Sequence, residues 1–357
     1  MGFKYIEKDF CISSDTKDLL NEELEEAESG SDPRTQLFLR KEGVQYLSEL
    51  FPHIKHINDL DTLSQNLKAE DEFAFSQVFD SKLIDACIIR GIFPLSLDIG
   101  RNIFLFAPKL HKLHLICATV DNYLMRNNIE YFPRCNDNEG IFQVEKLNIS
   151  KRFLKLTNDA LYSVSFDIFV NRKEDLVDVF CLIHQRYGEN WLCKALRKCF
   201  LYMHLHRENF ETQIITIAVR RHKYQSDSRQ LSSSSSDEVK EGDLVAAEIG
   251  YIVGDIYTSA TGAYCVSGAG KLQLAVTGCI LHKLGCKVWD LGMSMFYKNS
   301  LLGCVEIKRE NWIQMVKQHR QNSVLVTRKS QEFLLELQKG KCVGAILKDS
   351  TKQLQNQ

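Results

Sequence analysis

The chain has 357 residues, 44% of them hydrophobic and 25% charged, and 45 Lys and Arg against 46 Asp and Glu leave a formal net charge of -1. The longest apolar runs fall well short of the ~18 residues of a membrane span, and the opening MGFKYIEKDF lacks a signal-peptide core. Twelve cysteines without a CxxC read as reduced core thiols, not disulfides or zinc ligands, so a globular, cytoplasmic chain with no membrane partner is expected.

The charge is uneven. Residues 1–75 hold 8 basic against 17 acidic side chains, whereas residues 101–230 hold 20 against 14. Residues 1–70 form an acidic extension with helical patterns at 16–27 and 44–50, and the run from Glu22 to Glu28 before SGSDP reads as a solvated linker. A small α/β unit is expected over 71–140. It starts with a helix at 79–89, turns at RGIFP (90–94), and continues as two strands around Pro108. His111 and His114 lie three apart in a basic run without a third ligand in view, so no metal is assigned. The Asn-rich stretch 127–140 marks the boundary with a larger unit, 141–325.

That unit opens with a helix capped by Ser150 and a β-prone run, YSVSFDIFV. Helices follow at 173–187 and 189–206, the second carrying Lys194, Arg197 and Lys198 on what reads as a wet face. A strand at 212–221 is expected to pair with 244–257 across a flexible Ser-rich insertion, 224–242. Next come a Gly-rich loop, a helix at 271–284 closed by Gly285, and a short strand, 286–291, ending near Asp290. In such a unit ligands meet helix amino ends and strand carboxyl ends, so Gly268, Ala269, Gly270 and Asp290 are expected near one another. Residues 326–357 read as a tail.

EIGYIVG, SGAGKLQL, the strand ending in Asp290 with its WDLGM run, and LGCVEIKRENWI together resemble the leucyl/phenylalanyl-tRNA-protein transferase family, particularly its non-bacterial members. RGIFP, the LNIS helix start and Asn190-Trp191-Leu192 fall in the family's order, and the resemblance spans 73–320. It implies an α/β (α+β) protein whose larger domain has the acetyltransferase-like (GNAT-like) mixed sheet. The implied activity moves Leu or Phe, with Met as a further candidate, from aminoacyl-tRNA onto the amino terminus of an acceptor protein, a step linked to N-degron turnover. No cofactor is implied. Asp290 matches the family's catalytic aspartate and Trp191 a tryptophan that contacts the tRNA 3′ adenosine. The pattern departs where Gly292 replaces a glutamine, Ala260 a glutamate and Phe200 a tyrosine.

The chemistry adds roles to these positions. Aminolysis of an ester needs a neutral amine, a proton acceptor and donors for an oxyanion. An α-amine with a pKa of about 8 needs only a modest base, so Asp290 is assigned to the amine and the backbone of Gly268, Ala269, Gly270 and Lys271 to a phosphate or the ester oxygen. Met293, Met295 and Phe296 supply a flexible apolar wall for the carried side chain. Two other readings stay open: a CoA-dependent N-acetyltransferase, because Gly268-Ala269-Gly270 before a helix also suits a pyrophosphate, and a non-catalytic tRNA-binding module. A Walker loop is excluded, since Cys265 and Leu272 stand where it needs Gly and Ser or Thr.

Overall fold

The computed structural model describes residues 14–68, 70–119, 140–142, 166–189, 191–221, 242–293, 298, 302–325 and 327–355. The Ser150 helix, most of the Asn-rich joint and nearly all of the Ser-rich insertion lie outside them.

Among the described residues, four α-helices and four strands precede the main sheet. They are α1 (Ser14–Glu28), β1 (Arg34–Gln36), α2 (Lys41–Leu50), α3 (Leu63–Asn66), β2 (Val78–Asp80), α4 (Ser81–Ile88) and the hairpin β3 (Ser96–Asp98) with β4 (Phe104–Phe106). β1 pairs with β2 and β3 with β4, both antiparallel. Asp80 caps α4 by accepting from the Leu83 N–H at 3.0 Å.

The chain then enters the large sheet. β5 (Leu113–Ala118) and β6 (Phe166–Val170) are followed by α5 (Leu176–Tyr187) and α6 (Lys194–Leu205). Three antiparallel strands come next, β7 (Gln213–Arg221), β8 (Leu244–Val253) and β9 (Ile256–Tyr264), and then α7 (Ala269–Leu284) and β10 (Val288–Asp290). β11 (Val305–Lys308), α8 (Arg309–His319), α9 (Arg328–Lys339), β12 (Lys341–Cys342) and α10 (Val343–Gln355) complete it, so the stretch read as a tail adds two helices and an edge strand. The order across the sheet is β11-β5-β10-β9-β8-β7-β6-β12, antiparallel throughout except where β10 runs parallel to β9. Strand, two helices, three strands, helix, parallel strand is the acetyltransferase-like arrangement, and β5 from the first part of the chain sits in the same sheet.

Alternation explains the layers. In β7, Ile214 and Ala218 face the core beneath α5 and α6, while Ile215, Ile217 and Val219 face the core beneath α7, α9 and α10. α7 contributes Leu272, Ala275, Val276 and Ile280 to the second core, and Gly285 closes it in the left-handed region at φ 83°.

The strand read as 244–257 proved to be two. Gly254, at φ 62°, turns β8 into β9, and a Cβ there would stand 2.0 Å from the His319 carbonyl, so the hairpin tip is locked against α8. β9 then consumes most of what had been read as a Gly-rich loop.

The acidic run is also not a linker. α1 packs on α5 and α6 with Leu20, Glu23 and Ala27 buried. Arg197, placed by its spacing on a wet face, is buried instead, donating from Nε and Nη2 to Glu23 at 3.0 and 2.8 Å and from Nη1 to the Leu192 carbonyl at 3.1 Å. Hydrophobic periodicity cannot foresee a charge that brings its own counter-charge 174 residues away. Arg197 Nη2 also meets Glu189 at 2.8 Å, so Glu23→Ala leaves the guanidinium one carboxylate and should lower unfolding free energy in urea by roughly 1 to 3 kcal/mol, with Glu23→Ala/Arg197→Met recovering part of it. A single variant as stable as the wild type would mean that this pair does not hold α1.

Candidate functional site

β10 lies in the middle of the sheet between β5 and β9, so its carboxyl-terminal residue, Asp290, carries a carboxylate into a buried position. Such a group needs partners, and three elements supply them. Thr258 on β9 donates from Oγ1 to Oδ2 at 3.0 Å, the Gly292 N–H donates to Oδ1 at 2.8 Å, and His114 Nδ1 on β5 stands 3.4 Å from Oδ1. Gly292, at φ 66°, lets the chain turn back so that its own amide reaches the carboxylate. Burial alone would push the Asp290 carboxyl up. The hydrogen bond and charge of His114 and the Gly292 amide outweigh it and hold the carboxyl below its usual range.

The His114 ring is stacked on Trp312 of α8 with centroids 4.4 Å apart, and His111 meets it edge-on at 5.0 Å. Its Nε2 is buried with no hydrogen-bond partner. His111 lies 6.1 Å from Phe93, which in turn lies 5.5 Å from Trp191. A continuous row of rings therefore runs Trp191, Phe93, His111, His114 and ends on Asp290. Trp312 also donates from Nε1 to the Gly91 carbonyl at 2.8 Å, and a Cβ on Gly91 (φ 76°) would meet that nitrogen at 2.6 Å. RGIFP, Trp191, the histidine run and the RENW run thus converge on one point.

Sequence reasoning missed His111, His114, Thr258 and Trp312 as neighbours of Asp290. The two histidines were visible only as a metal pair, and among the described residues no group of three metal-ligating side chains occurs. Their signal was their place just before and within a buried strand, which only pairing with β10 turns into a site.

The expectation that Gly268, Ala269 and Gly270 would lie beside Asp290 is corrected by register. Asp290 pairs with Thr258, whereas α7 begins only after β9 has run on to Tyr264. Six residues of strand at ~3.3 Å each separate the two levels by roughly 20 Å. Gly268, at φ 88°, opens α7 without a side-chain cap, Ala269 is buried and Lys271 is exposed. Gly270 is glycine for a packing reason, since a Cβ would stand 2.7 Å from the Tyr264 ring. Between the two levels, β9 has no strand on its β10 side among the described residues. A bulge there pairs Ile249 with Thr261 and Gly250 with Ser259, leaving Ala260 unmatched.

Met293 follows the Asp290 turn and is 48% exposed, while Met295 and Phe296 lie outside the described residues. Phe200 is in the core beneath the sheet. Lys298 donates to the Leu291 carbonyl, and its burial pulls its pKa down. On the opposite face, buried Glu248 of β8 accepts from Tyr257 Oη at 2.7 Å, Ser259 Oγ at 2.5 Å and the Gln273 amide, fastening β9 to α7. Burial pushes its carboxyl up despite these donors.

His111 gives this site a measurable pH signature. Burial, His114 and Lys109 bring its pKa down to about 3, so the unfolded chain, with His near 6.5, takes up the proton first as pH falls. Stability should therefore decline progressively from about pH 6.5 to about pH 3. His111→Gln should flatten that decline in urea titrations. Asp290 adds a separate loss only below ~3.9, because its folded carboxyl is depressed. An unchanged slope in the Gln variant would contradict the assignment.

No family model matches the sequence, and no curated protein matches it. Among solved structures, a chain titled "Crystal structure of FemX" is similar at a TM-score of 0.33 and 10% identity, covering 70% of this chain and 73% of that one. A likeness of this size leaves the functional reading to the residues.

Proposed function

We propose that this chain is an aminoacyl-tRNA-protein transferase of the leucyl/phenylalanyl type, forming a peptide bond between the carried amino acid and the α-amine of an acceptor protein. One observation carries the reading: a buried carboxylate, held ionised and coupled to an imidazole, stands where β10 ends and the β9 edge opens, at the end of the ring row from Trp191. RGIFP, Trp191, the WDLGM run and RENW, four of the motifs that resemble the transferase family, lie around it.

In this reading Trp191 stacks on the terminal adenosine, as aromatic rings do with single-stranded bases. The ester lies beside Asp290, and the exposed Met293 faces the carried side chain, with Met295 and Phe296 assigned to the same wall from the sequence alone. Gly268, Ala269, Gly270 and Lys271 hold a phosphate farther along the tRNA end, where uncapped N–H groups and an exposed lysine favour an anion. Thr258, Gly292 and His114 already occupy the Asp290 oxygens, so the carboxylate serves as a fixed negative charge opposite the ammonium that forms when the amine attacks. No redox or nucleotide cofactor is needed, because the ester supplies the driving force.

The same uncapped helix start favours a second reading, a CoA-dependent N-acetyltransferase, with the pyrophosphate at α7 and the thioester near Asp290. Protein incubated with labelled Leu-, Phe- and Met-tRNA, or with labelled acetyl-CoA, and peptides of differing first residue separates the two. Label from tRNA in peptide is the expected result; label from acetyl-CoA alone would replace the transferase. Asp290→Asn should then bind charged tRNA within about threefold of wild type, since phosphate contacts dominate affinity. Its transfer rate should fall roughly 10²-fold. An Asn variant with full transfer would remove Asp290 from the chemistry.

A further inference from the structure

We propose that His114 carries the proton of the transfer: its Nε2 accepts the proton of the attacking α-amine as the C–N bond forms and delivers it to the tRNA 3′ oxygen as the ester C–O bond breaks. The inference rests on the transferase reading and assigns the base within it. Protons and charges balance without any further reactant. The amine loses one proton, the departing ribose hydroxyl gains it, and the imidazole ends neutral.

The geometry supports this division of labour. Three of the four lone-pair positions of the buried Asp290 carboxylate face the Thr258 hydroxyl, the Gly292 amide and His114 Nδ1, so its charge is already engaged within the protein. His114 has the complementary arrangement. Its Nδ1–H points at the carboxylate, which fixes the tautomer and leaves Nε2 as the basic nitrogen. That Nε2 is buried and meets no protein partner among the described residues, so its hydrogen-bonding capacity is unspent. Trp312 on one face of the ring and His111 at its edge prevent rotation.

The charges around the ring are these. Among the described residues, the ion paired with it is Asp290 of β10, which is negative. His111, ahead of β5, is neutral because burial, His114 and Lys109 bring its pKa down to about 3. Behind His111, Lys109 is paired with Glu72 at 3.3 Å, and α8 brings the uncharged Trp312 and the buried Arg309, whose Nη2 donates to the Leu110 carbonyl at 3.1 Å. Beyond Asp290 stand Tyr251 of β8, which burial keeps protonated, and Lys298, whose amine donates to the Leu291 carbonyl. An aspartate that orients a histidine and stabilises its cation is a recurring device in acyl transfer, here built from β5 and β10.

The test uses full-length protein with His114→Asn and His114→Gln. The Asn amide keeps a donor at the Nδ1 position for Asp290 and lacks a titrating nitrogen; the Gln amide reaches the Nε2 position without basicity. Both are expected to melt cooperatively, to bind charged tRNA within about threefold of wild type, and to lose roughly 10²-fold in kcat at saturating substrates with little change in KM. Wild-type kcat/KM should fall on the acid side along a limb that stays in place when acceptor peptides of different α-amine pKa are exchanged, and both variants should lack it. A wild-type rate with an intact limb in His114→Asn overturns the proton role. So does a wild-type limb that moves wholly with the acceptor amine, a result that needs no variant to fold. Absence of transfer by wild type from every charged tRNA would instead defeat the transferase reading itself.

Discussion

The buried charge of Asp290 is the constraint on which the middle of this molecule depends. Moving a carboxylate from water into a sheet interior is costly unless its oxygens meet donors. Here those donors come from β5, β9 and the turn after β10, three parts of the chain that hydrophobic packing alone would leave free to slide. A one-residue slip of β10 against β9 would move Asp290 from Thr258 to the opposite face and leave the charge unpaired. The carboxylate therefore specifies register, and the same register leaves the β9 edge open beyond it.

A second aspartate-histidine pair does related work at the other end of β10. Asp255, in the β8-β9 turn, faces His319 at 2.5 Å and Asn322 at 2.8 Å on and just after α8, and its carbonyl accepts from the Lys287 N–H at 2.8 Å. α8 is thus tied to the sheet at both ends, through His319 to Asp255 and through Trp312 to the His114 ring and Gly91. Both histidines leave a buried Nε2 without a hydrogen-bond partner, so the two pairs differ in their surroundings. Asp255 and His319 clamp a hairpin that Gly254 already presses against the helix. Asp290 and His114 stand instead at a strand end, beside an unpaired edge and an exposed methionine.

Legibility in the sequence followed the range of the forces. α7 and its Gly285 stop, α5, α6, the strand of β7 and the position of Asp290 at a strand end were all readable, because apolar spacing and caps act within one or two turns. β9 was not. Thr258, Ser259, Ala260, Thr261 and Gly262 lack the apolar alternation of a strand, and the bulge at Ala260 breaks the period further. The buried face of α1 was hidden by its own acidity, since Glu23 is interior only because Arg197 meets it. His114 was hidden for the same reason, its partner lying 176 residues downstream. The role of Gly270 was misjudged because glycine is ambiguous in sequence: a close ligand and a close tyrosine ring ask the same thing of it.

The separation of the α7 amino end from Asp290 sharpens what a ligand of this fold must be. A site in which both touched one phosphate would need them within hydrogen-bond reach, whereas the pairing of Asp290 with Thr258 sets them roughly 20 Å apart along β9. Only an extended molecule, reactive at one end and anionic along its length, engages both at once. A single-stranded tRNA terminus carrying an ester has that form, and so does a thioester on a pantetheine arm, which is why the two readings share the strand edge. What differs is the near end. Trp191 and Phe93, the partly exposed rings at the far end of the row that leads to the carboxylate, offer stacking surface to a base, and a pantetheine arm, with no ring at its reactive end, has no use for it. The rings, more than the glycines, favour the proposed transferase reading over the acetyltransferase one.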